Sequence, residues 1–278
     1  PWGGPRLHYI EEKIEEKIEE KMKGKRSTPG RRRSPTPMDA PTPLPDWQGL
    51  LAERLARVRA RVDAASPGQA VAIVAAVKYC APEQLADAVR AGLAALGENR
   101  AQDFAAHREA LPPELRDAVA WHFIGHLQTN KLNKVLGAFD LLHGVDSLRL
   151  AEAIAQRVTP DGPPQRVLLQ VNVAGEASKS GFAPAELPEA AERIAQLPGL
   201  ALEGLMAMAP ADADEGAARA VFRQTRQLRD GLEQRLGKPL PRLSMGMSRD
   251  YLPAVLEGAT IIRLGSVLFR PAENDTHG

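Results

Sequence analysis

The sequence predicts an α/β protein built as a single (β/α)8 (TIM) barrel with an additional N-terminal helix. Apolar runs of strand length recur eight times, and segments with helical periodicity lie between them. The 278 residues also suffice for such a barrel, which needs about 250. An open, doubly wound sheet is the structural alternative. It usually carries a glycine-rich dinucleotide turn after its first strand, and no G-x-G-x-x-G follows the first apolar run here.

The elements begin with an amphipathic helix at Asp46–Ala65, for which Asp46 is a candidate N-cap. Its apolar face contains Leu50, Leu51, Leu55, Val58 and Val62. The predicted strands are Val71–Val77, Ala95–Gly97, Trp121–Ile124, Leu141–Val145, Val167–Val173, Leu202–Met208, Leu243–Met247 and Thr260–Leu264. Helical periodicity between them is clearest at Glu83–Ala91, Pro188–Leu197 and Ala217–Leu236. Alternation of this kind predicts parallel strands, whose C-terminal ends meet at one end of the barrel.

The first 37 residues differ from the rest in composition. Glu11–Lys21 repeats every four residues, and Lys23–Pro37 is basic and rich in Pro and Ser. Residues 1–37 carry a net charge of +4, against −3 for the remainder. We therefore predict a disordered or helical low-complexity appendage at 1–37, with Met38 as a natural start and the barrel domain at 38–278. A nucleic-acid-binding or targeting arm is the alternative for the appendage.

The composition excludes several classes of protein. No apolar run approaches the roughly 20 residues of a membrane-spanning helix, and the N-terminus lacks the apolar core of a secretory signal. The single cysteine, Cys80, excludes an internal disulfide framework and a cysteine-based zinc site. No His/Asp/Glu cluster has metal-ligand spacing, so no metal is expected. We expect a cytoplasmic monomer without membrane or nucleic-acid partners.

Lys78 is the first candidate site residue, because it stands where the first predicted strand ends. It is one of only five lysines after residue 38, in a stretch that carries twenty-one arginines. Where such a chain keeps a lysine, the amine itself can be the reason, since a guanidinium cannot form a Schiff base. The alternative is a solvated or salt-bridged lysine.

Two other strand ends are suited to an anion. Ser248 follows strand seven and precedes a helix-like segment, Arg249–Leu256, so it is a candidate N-cap beside free backbone N–H groups. Gly265 and Ser266 follow strand eight, and the loops after strands seven and eight are the frequent phosphate position in this fold. An ordinary Gly-Ser turn is the alternative.

An amine opposite a phosphate site suggests pyridoxal phosphate (PLP) held as an imine. Arg263, inside strand eight, could then meet the pyridine nitrogen and keep it unprotonated, which makes the ring a poorer electron sink. The remaining conspicuous side chains are expected to be structural: His122 and His126 hydrogen-bonded near the rim, Cys80 a buried filler, and Met206, Met208, Met245 and Met247 packing residues.

Several motifs resemble those of a known family. They are Ala75–Lys78, Leu96–Asn99, Trp121–Lys131, Val171–Gly181, Gly204–Met208, Leu243–Ser248 and Ile262–Ser266. In this order they resemble the pyridoxal-phosphate-binding homeostasis proteins (the YggS/PROSC family). The resemblance implies a barrel like the N-terminal domain of alanine racemase, with Lys78 as the Schiff-base lysine and Asn99 near the cofactor. It further implies that Ser248, Gly265 and Ser266 hold the phosphate and that Arg263 faces the ring nitrogen.

The sequence departs from the family pattern at a few positions. Tyr79 and Cys80 replace the Thr-Lys that commonly follows the lysine, and Arg100 stands where Tyr is usual. Ser266 replaces the more frequent Thr and keeps the hydroxyl, while Arg270 replaces a common Gly. The changes at 79, 80 and 100 affect expected contacts at the rim more than the imine itself.

The resemblance implies a protein that buffers PLP and delivers it, with PLP-dependent apo-enzymes as recipients and no firmly established reaction of its own. The alternative is a PLP-dependent enzyme such as an amino-acid racemase. Racemisation needs a second base, which alanine racemases take from a Tyr of an additional β-domain. The sequence ends eight residues after Arg270, so no such domain is expected.

Overall fold

A computed structural model describes residues 46–159, 162–176 and 180–270 of the chain. Eight parallel strands pair in chain order, and β8 pairs with β1 to close the sheet. This confirms the predicted (β/α)8 barrel and rules out the open doubly wound sheet. The predicted appendage at 1–37 lies outside the described residues. Within those residues, no helix combines the length and apolar content needed to cross a bilayer.

The strands are β1 Ala72–Ala76, β2 Ala95–Glu98, β3 Ala120–Phe123, β4 Leu141–Val145, β5 Gln165–Gln170, β6 Leu200–Met206, β7 Arg242–Met247 and β8 Ile261–Leu264. The α-helices are α1 Trp47–Ala65, α2 Leu85–Arg90, α3 Phe104–Ala110, α4 Pro113–Arg116, α5 Leu148–Ala155, α6 Leu187–Ala195, α7 Glu215–Leu236, α8 Tyr251–Leu256 and α9 Ser266–Phe269. Short 3₁₀ helices occupy Val77–Tyr79, Pro82–Gln84 and Thr129–Lys134.

Helix α1 begins as the sequence predicts. The Gly49 N–H donates to the Asp46 carboxylate over 2.9 Å, which caps the helix. Four members of the predicted apolar face are buried, namely Leu51, Leu55, Val58 and Val62, whereas Leu50 is half-buried. The helix packs on α2, α8 and α9, and Arg54 donates to the Leu268 carbonyl over 2.7 Å. Helix α1 therefore covers the seam where β8 meets β1.

Two apolar layers hold the barrel together. A small cluster fills its interior and consists of Val74, Ala95, Leu141, Leu168, Met206 and Ile261. A much larger cluster lies between the strands and the helices. Along β8, Ile261 belongs to the interior, whereas Ile262 and Leu264 belong to the outer layer. Because side chains alternate along a strand, Arg263 points into the barrel.

Four strands begin earlier than the apolar runs predict: β3 and β7 by one residue, and β5 and β6 by two. β5 and β6 start two residues before the predicted Val167 and Leu202 and end before Val173 and Met208. Arg166 lies near the start of β5 and pairs with Glu203 in the middle of β6 over 2.7 Å, and Arg242 of β7 reaches the same carboxylate over 2.5 Å. The polar residues Gln165 and Arg166 account for the boundary missed in β5, whereas the residues missed in β6, Leu200 and Ala201, are apolar.

Candidate functional site

A cavity of about 1160 Å³ opens at the C-terminal ends of the strands. Its lining includes all six residues that the sequence singles out, namely Lys78, Asn99, Ser248, Arg263, Gly265 and Ser266. They come from the ends of β1, β2, β7 and β8, which are far apart in sequence. The structure therefore brings the whole candidate set to one place.

Lys78 lies in the 3₁₀ turn that directly follows β1. Its side chain is exposed at the mouth of the cavity, and Nζ lies 4.9 Å from the centroid of the Tyr79 ring. Across the described part of the chain, no carboxylate pairs with this amine. The alternative of a salt-bridged lysine therefore has no support in this arrangement.

Tyr79, one of the departures from the family pattern, packs against the start of α9. A Cβ on Gly265 would overlap the Tyr79 ring, so only glycine allows this approach. The Arg270 guanidinium lies 5.3 Å from the centroid of the same ring. Tyr79 thus sits between the Lys78 amine and the loop after β8.

Ser248 is at the cavity, but its predicted role as N-cap of the following helix is wrong. Helix α8 begins only at Tyr251, and Asp250 takes the preceding position, where its carboxylate accepts from the Met247 N–H over 2.6 Å. The Ser248 hydroxyl instead accepts from the N–H groups of Gly265 over 3.1 Å and Val267 over 3.4 Å, at the start of α9.

Gly246 makes this reach possible. Its φ of +85° lies in the left-handed region, and a Cβ there would come within 2.6 Å of Ala254 Cβ. The chain therefore turns at the end of β7, and the Ser248 hydroxyl accepts from two backbone amides that follow β8. Because β8 pairs with β1, these groups lie beside the strand that ends at Lys78, so the expected position across the barrel mouth from Lys78 is wrong. Hydroxyl and amide donors of this kind suit a phosphate.

Arg263 forms the floor of the cavity. It is buried, and its Nη1 donates to the Ser244 carbonyl over 2.8 Å and to the Ser244 hydroxyl, while Nη2 donates to the Ala207 carbonyl over 3.1 Å. Burial lowers the pKa of Arg263 to about 10, although the Asp250 carboxylate acts in the opposite direction. The guanidinium therefore stays charged at neutral pH.

Two buried histidines extend this contact into the barrel, and the sequence interpretation missed their role. His143 Nδ1 lies 2.8 Å from the Ser244 hydroxyl, and His143 Nε2 lies 3.0 Å from His122 Nδ1. The prediction that His122 lies near the rim is therefore wrong. The sequence contains a sign of this position. Leu141 and His143 are two residues apart in β4, so His143 shares the face of the strand on which Leu141 points into the barrel.

Burial keeps both histidines neutral. It lowers the pKa of His122 to about 3, with the Arg166 charge as a second cause. It also lowers the pKa of His143 well below its usual value, with His122 and Arg263 as further causes. By contrast, His126 lies at the rim as expected, 3.2 Å from the Asp146 carboxylate.

Asn99 follows β2, and the side chain of the preceding residue, Glu98, holds its backbone in place. The Glu98 carboxylate accepts from the Asn99 N–H over 2.7 Å and the Arg100 N–H over 2.8 Å, and His107 Nδ1 lies 2.6 Å from its other oxygen. The Asn99 side-chain oxygen, however, is buried without a hydrogen-bond partner among the described residues. A buried polar atom of this kind is costly unless a ligand satisfies it.

The other residues singled out from the sequence have structural surroundings. Cys80 is buried, as are Met206 and Met245, while Met208 and Met247 line the cavity. Within the described ranges, no three His, Cys, Asp or Glu side chains form a group that could hold a metal ion.

The chain is similar to known proteins along most of its length. Residues 50–272 match the family described as "Alanine racemase, N-terminal domain". The pyridoxal phosphate homeostasis protein of Aquifex aeolicus is 40% identical over 223 residues, which are 78% of this chain and 96% of that relative. The protein of the same name from Pseudomonas aeruginosa is 41% identical over 225 residues, or 79% of this chain and 94% of that relative.

Among solved structures, PipY of Synechococcus elongatus is 35% identical, and the match covers 79% of this chain and 99% of PipY. The TM-score is 0.71 to the structure without PLP and 0.70 to the structure with PLP bound. The similarity therefore extends over nearly the whole of these relatives.

Proposed function

We propose, on the premise that this chain belongs to the pyridoxal phosphate homeostasis protein family, that it holds pyridoxal 5'-phosphate at the mouth of its barrel and delivers it. The observation that carries this proposal is that one cavity is lined by the Lys78 amine, the Ser248 hydroxyl and the start of α9. PipY, a 35% identical protein, has been solved with PLP bound, which supports the same ligand here.

The residues present fit this cofactor. The phosphate would be held by Ser248, Gly265 and Ser266, where hydroxyls and backbone amides converge. The absence of a side chain at Gly265 keeps this surface flat beside Tyr79. The unpartnered amide oxygen of Asn99 marks a further polar contact in the same cavity.

Lys78 would face the aldehyde group of PLP, and Arg263 would face its ring nitrogen. Bound PLP supplies an aldehyde, which an uncharged amine can capture as an imine with release of one water. Lys78 provides that amine at the cavity mouth. Arg263 remains charged on the cavity floor, and its positive charge would disfavour protonation of the ring nitrogen. A ring with an unprotonated nitrogen is a poorer electron sink. This arrangement favours holding the cofactor over using it.

A carrier without a reaction of its own is therefore the favoured function, and an amino-acid racemase is the enzyme alternative. Two tyrosines fall within the described residues. Tyr79 packs on Gly265, and Tyr251 is buried in the layer between strands and helices. Both contribute to the lining of the cavity, so a direct assay must decide between the two functions. Incubation with L-alanine and PLP, followed by chiral analysis, is expected to give no D-alanine at useful turnover. Sustained formation of D-alanine would favour the racemase.

Delivery requires that a recipient can approach the lysine. The cavity mouth is open, and its lining includes the exposed apolar side chains of Tyr79, Met247 and Leu256. PLP-dependent apo-enzymes are the proposed recipients. We further propose that the protein is a cytoplasmic monomer without nucleic-acid partners. The free, buried thiol of Cys80 is in keeping with a reducing compartment.

The decisive experiment is the absorption spectrum of the protein after incubation with PLP and removal of free ligand. The wild type is expected to keep the band of a lysine-bound cofactor, and Lys78→Ala is expected to lose it because no amine remains at the mouth. Lys238→Ala serves as the control, since Lys238 lies in the loop before β7 at the other end of the barrel. Retention of the full band in Lys78→Ala would refute the assignment.

A further inference from the structure

We propose that Ser244, His143 and His122 are positioning residues that hold the Arg263 guanidinium on the cavity floor and thereby set the protonation of the ring nitrogen of bound PLP. This inference rests on the proposed function, and it assigns a role to side chains that do not reach the cofactor. It explains why the Trp121–Lys131 and Leu243–Ser248 motifs each contain a buried polar residue inside a strand.

The four side chains form one string across the barrel. Arg263 of β8 donates to the Ser244 hydroxyl of β7, which lies 2.8 Å from His143 Nδ1 of β4. His143 Nε2 lies 3.0 Å from His122 Nδ1 of β3. All four residues are buried, so water does not compete for these contacts. The string connects strands from opposite sides of the barrel to the guanidinium.

The hydrogen bonds in this string have one consistent direction. Arg263 can only donate, so the Ser244 oxygen must accept from it. The Ser244 hydroxyl proton then has His143 Nδ1 as its acceptor. His143 carries its own proton on Nε2 and donates it to His122 Nδ1. Each of the three contacts is a hydrogen bond only when both imidazoles are neutral and in this tautomer.

The surrounding charges keep the string in that state. Arg263 faces His143, and Arg166 of β5 acts on His122, so a further positive charge on either ring is disfavoured. The Asp250 carboxylate, outside the string, acts on Arg263. A protonated His143 would present a donor to the Ser244 oxygen in place of an acceptor. The hydroxyl proton would lose its partner, and the hold on Arg263 would weaken.

The consequence lies at the cavity floor. Arg263 is held by Ser244 through both its hydroxyl and its carbonyl, and by the Ala207 carbonyl. A fixed cation opposite the ring nitrogen keeps the pKa of that nitrogen low. A mobile cation admits water, and the pKa of the ring nitrogen then rises. The two histidines thus act on the ring through Ser244 and Arg263.

The test replaces Ser244 by Ala and follows protonation of the ring nitrogen of bound, isotope-labelled PLP by nitrogen NMR as a function of pH. We expect up to about ten-fold weaker PLP binding, because an Arg263 side chain that Ser244 no longer holds must be immobilised again when the ring binds. We also expect the pH midpoint of ring-nitrogen protonation to move upward by about one pH unit, since the ring nitrogen gains a proton more easily. A midpoint equal to that of the wild type would overturn the proposal.

Thr225→Val is the matched control. Thr225 is a fully buried hydroxyl that donates to the Val221 carbonyl over 2.8 Å within α7, away from the cavity. Its loss is expected to lower stability without moving the midpoint. The same shift in both variants would show a general loss of stability and would also overturn the proposal.

A second pair of variants separates the loss of the hydroxyl from any change in side-chain volume. Ser244→Thr and Ser244→Val have the same shape and differ only in the hydroxyl. The Thr variant is expected to keep the wild-type midpoint and the Val variant to shift it; equal midpoints would count against the string. A failure of the proposed function is distinguishable, because the wild type itself would then show no lysine-bound band.

Discussion

At the scale of single residues, His122 and His143 show how burial decides chemistry inside this barrel. Both rings lie among strands where a charged imidazolium would lose its hydration and face Arg263 and Arg166. They are therefore held as hydrogen-bonding groups without charge. The unfolded chain has no such restriction, so its histidines take up protons near pH 6.5.

This difference predicts sensitivity to acid. The pKa of His122 is about 3 in the folded protein, below its value of 6.5 in the unfolded chain. The stability from the neutral ring is therefore complete above pH 6.5 and is lost as the pH falls toward 3. Between pH about 6.5 and about 4 the loss attributable to His122 is on the order of 3 kcal/mol. Urea unfolding at several pH values measures it.

His122→Asn isolates this effect, because it removes the titrating ring and keeps a polar side chain. The variant is expected to be less stable at pH 7 and to lose less stability on acidification. His126→Asn is the control, since His126 is exposed at the rim. An acid dependence in His122→Asn as steep as that of the wild type would contradict the prediction.

At the scale of elements, the 3₁₀ turn after β1 and the start of α9 depend on each other. Tyr79 of the turn occupies the space that a side chain at Gly265 would need. Gly265→Ala is expected to displace the Tyr79 ring, disturb the phosphate-binding amides and weaken PLP binding about ten-fold. Tyr79→Ala in the same chain should restore much of the affinity, because it makes room for the methyl group. Titrations of PLP into the two single variants and the double variant measure the coupling.

Gly231→Ala is the matched control for this pair. Gly231 lies within α7, and a Cβ there would contact nothing within 4 Å. Replacement by Ala is expected to leave PLP binding unchanged and to raise the free energy of unfolding by up to about 1 kcal/mol. Additive losses from Gly265→Ala and Tyr79→Ala would show that the two elements are not coupled.

The elements also show how far the sequence predicts this site. The parallel alternation of strands and helices placed Lys78, Arg263 and Ser248 at one end of the barrel, because strand ends in such a fold share a face. The partner of Ser248 could not be foreseen. The Asp250 carboxylate accepts in the turn after β7, and the Ser248 hydroxyl instead accepts from the N–H groups of Gly265 and Val267 at the start of α9.

Residues in the middle of strands were harder to interpret than residues at their ends. The role of His143 does not follow from the positions of strand ends, because its contact with Ser244 forms between strands on opposite sides of the barrel. β5 was placed two residues late because its first residues, Gln165 and Arg166, are polar and precede the apolar run. The late start predicted for β6 has no such cause, because the missed residues Leu200 and Ala201 are apolar. Charges that neutralise each other inside a fold resemble loop residues when only one strand is considered.

At the scale of the whole molecule, the family match and the appendage concern different parts of the chain. The match spans residues 50–272, and the predicted low-complexity segment at 1–37 lies outside it. We expect a chain that begins at Met38 to bind PLP with the affinity of the full sequence, because every residue of the proposed site lies within the matched part. Equilibrium titration of both proteins measures this. A marked loss of affinity on truncation would assign the appendage a part in binding.

The filled interior also limits how cofactor can move. Val74, Leu141 and Leu168 are fully buried inside the barrel, and Arg166, Glu203 and Arg242 pair within the strands farther from the mouth. Among the described residues, the cavity at the strand ends is therefore the opening through which a ligand reaches the barrel. Under the proposed function, PLP would enter and leave by that same opening, so a free PLP molecule and a recipient protein would compete for access to Lys78.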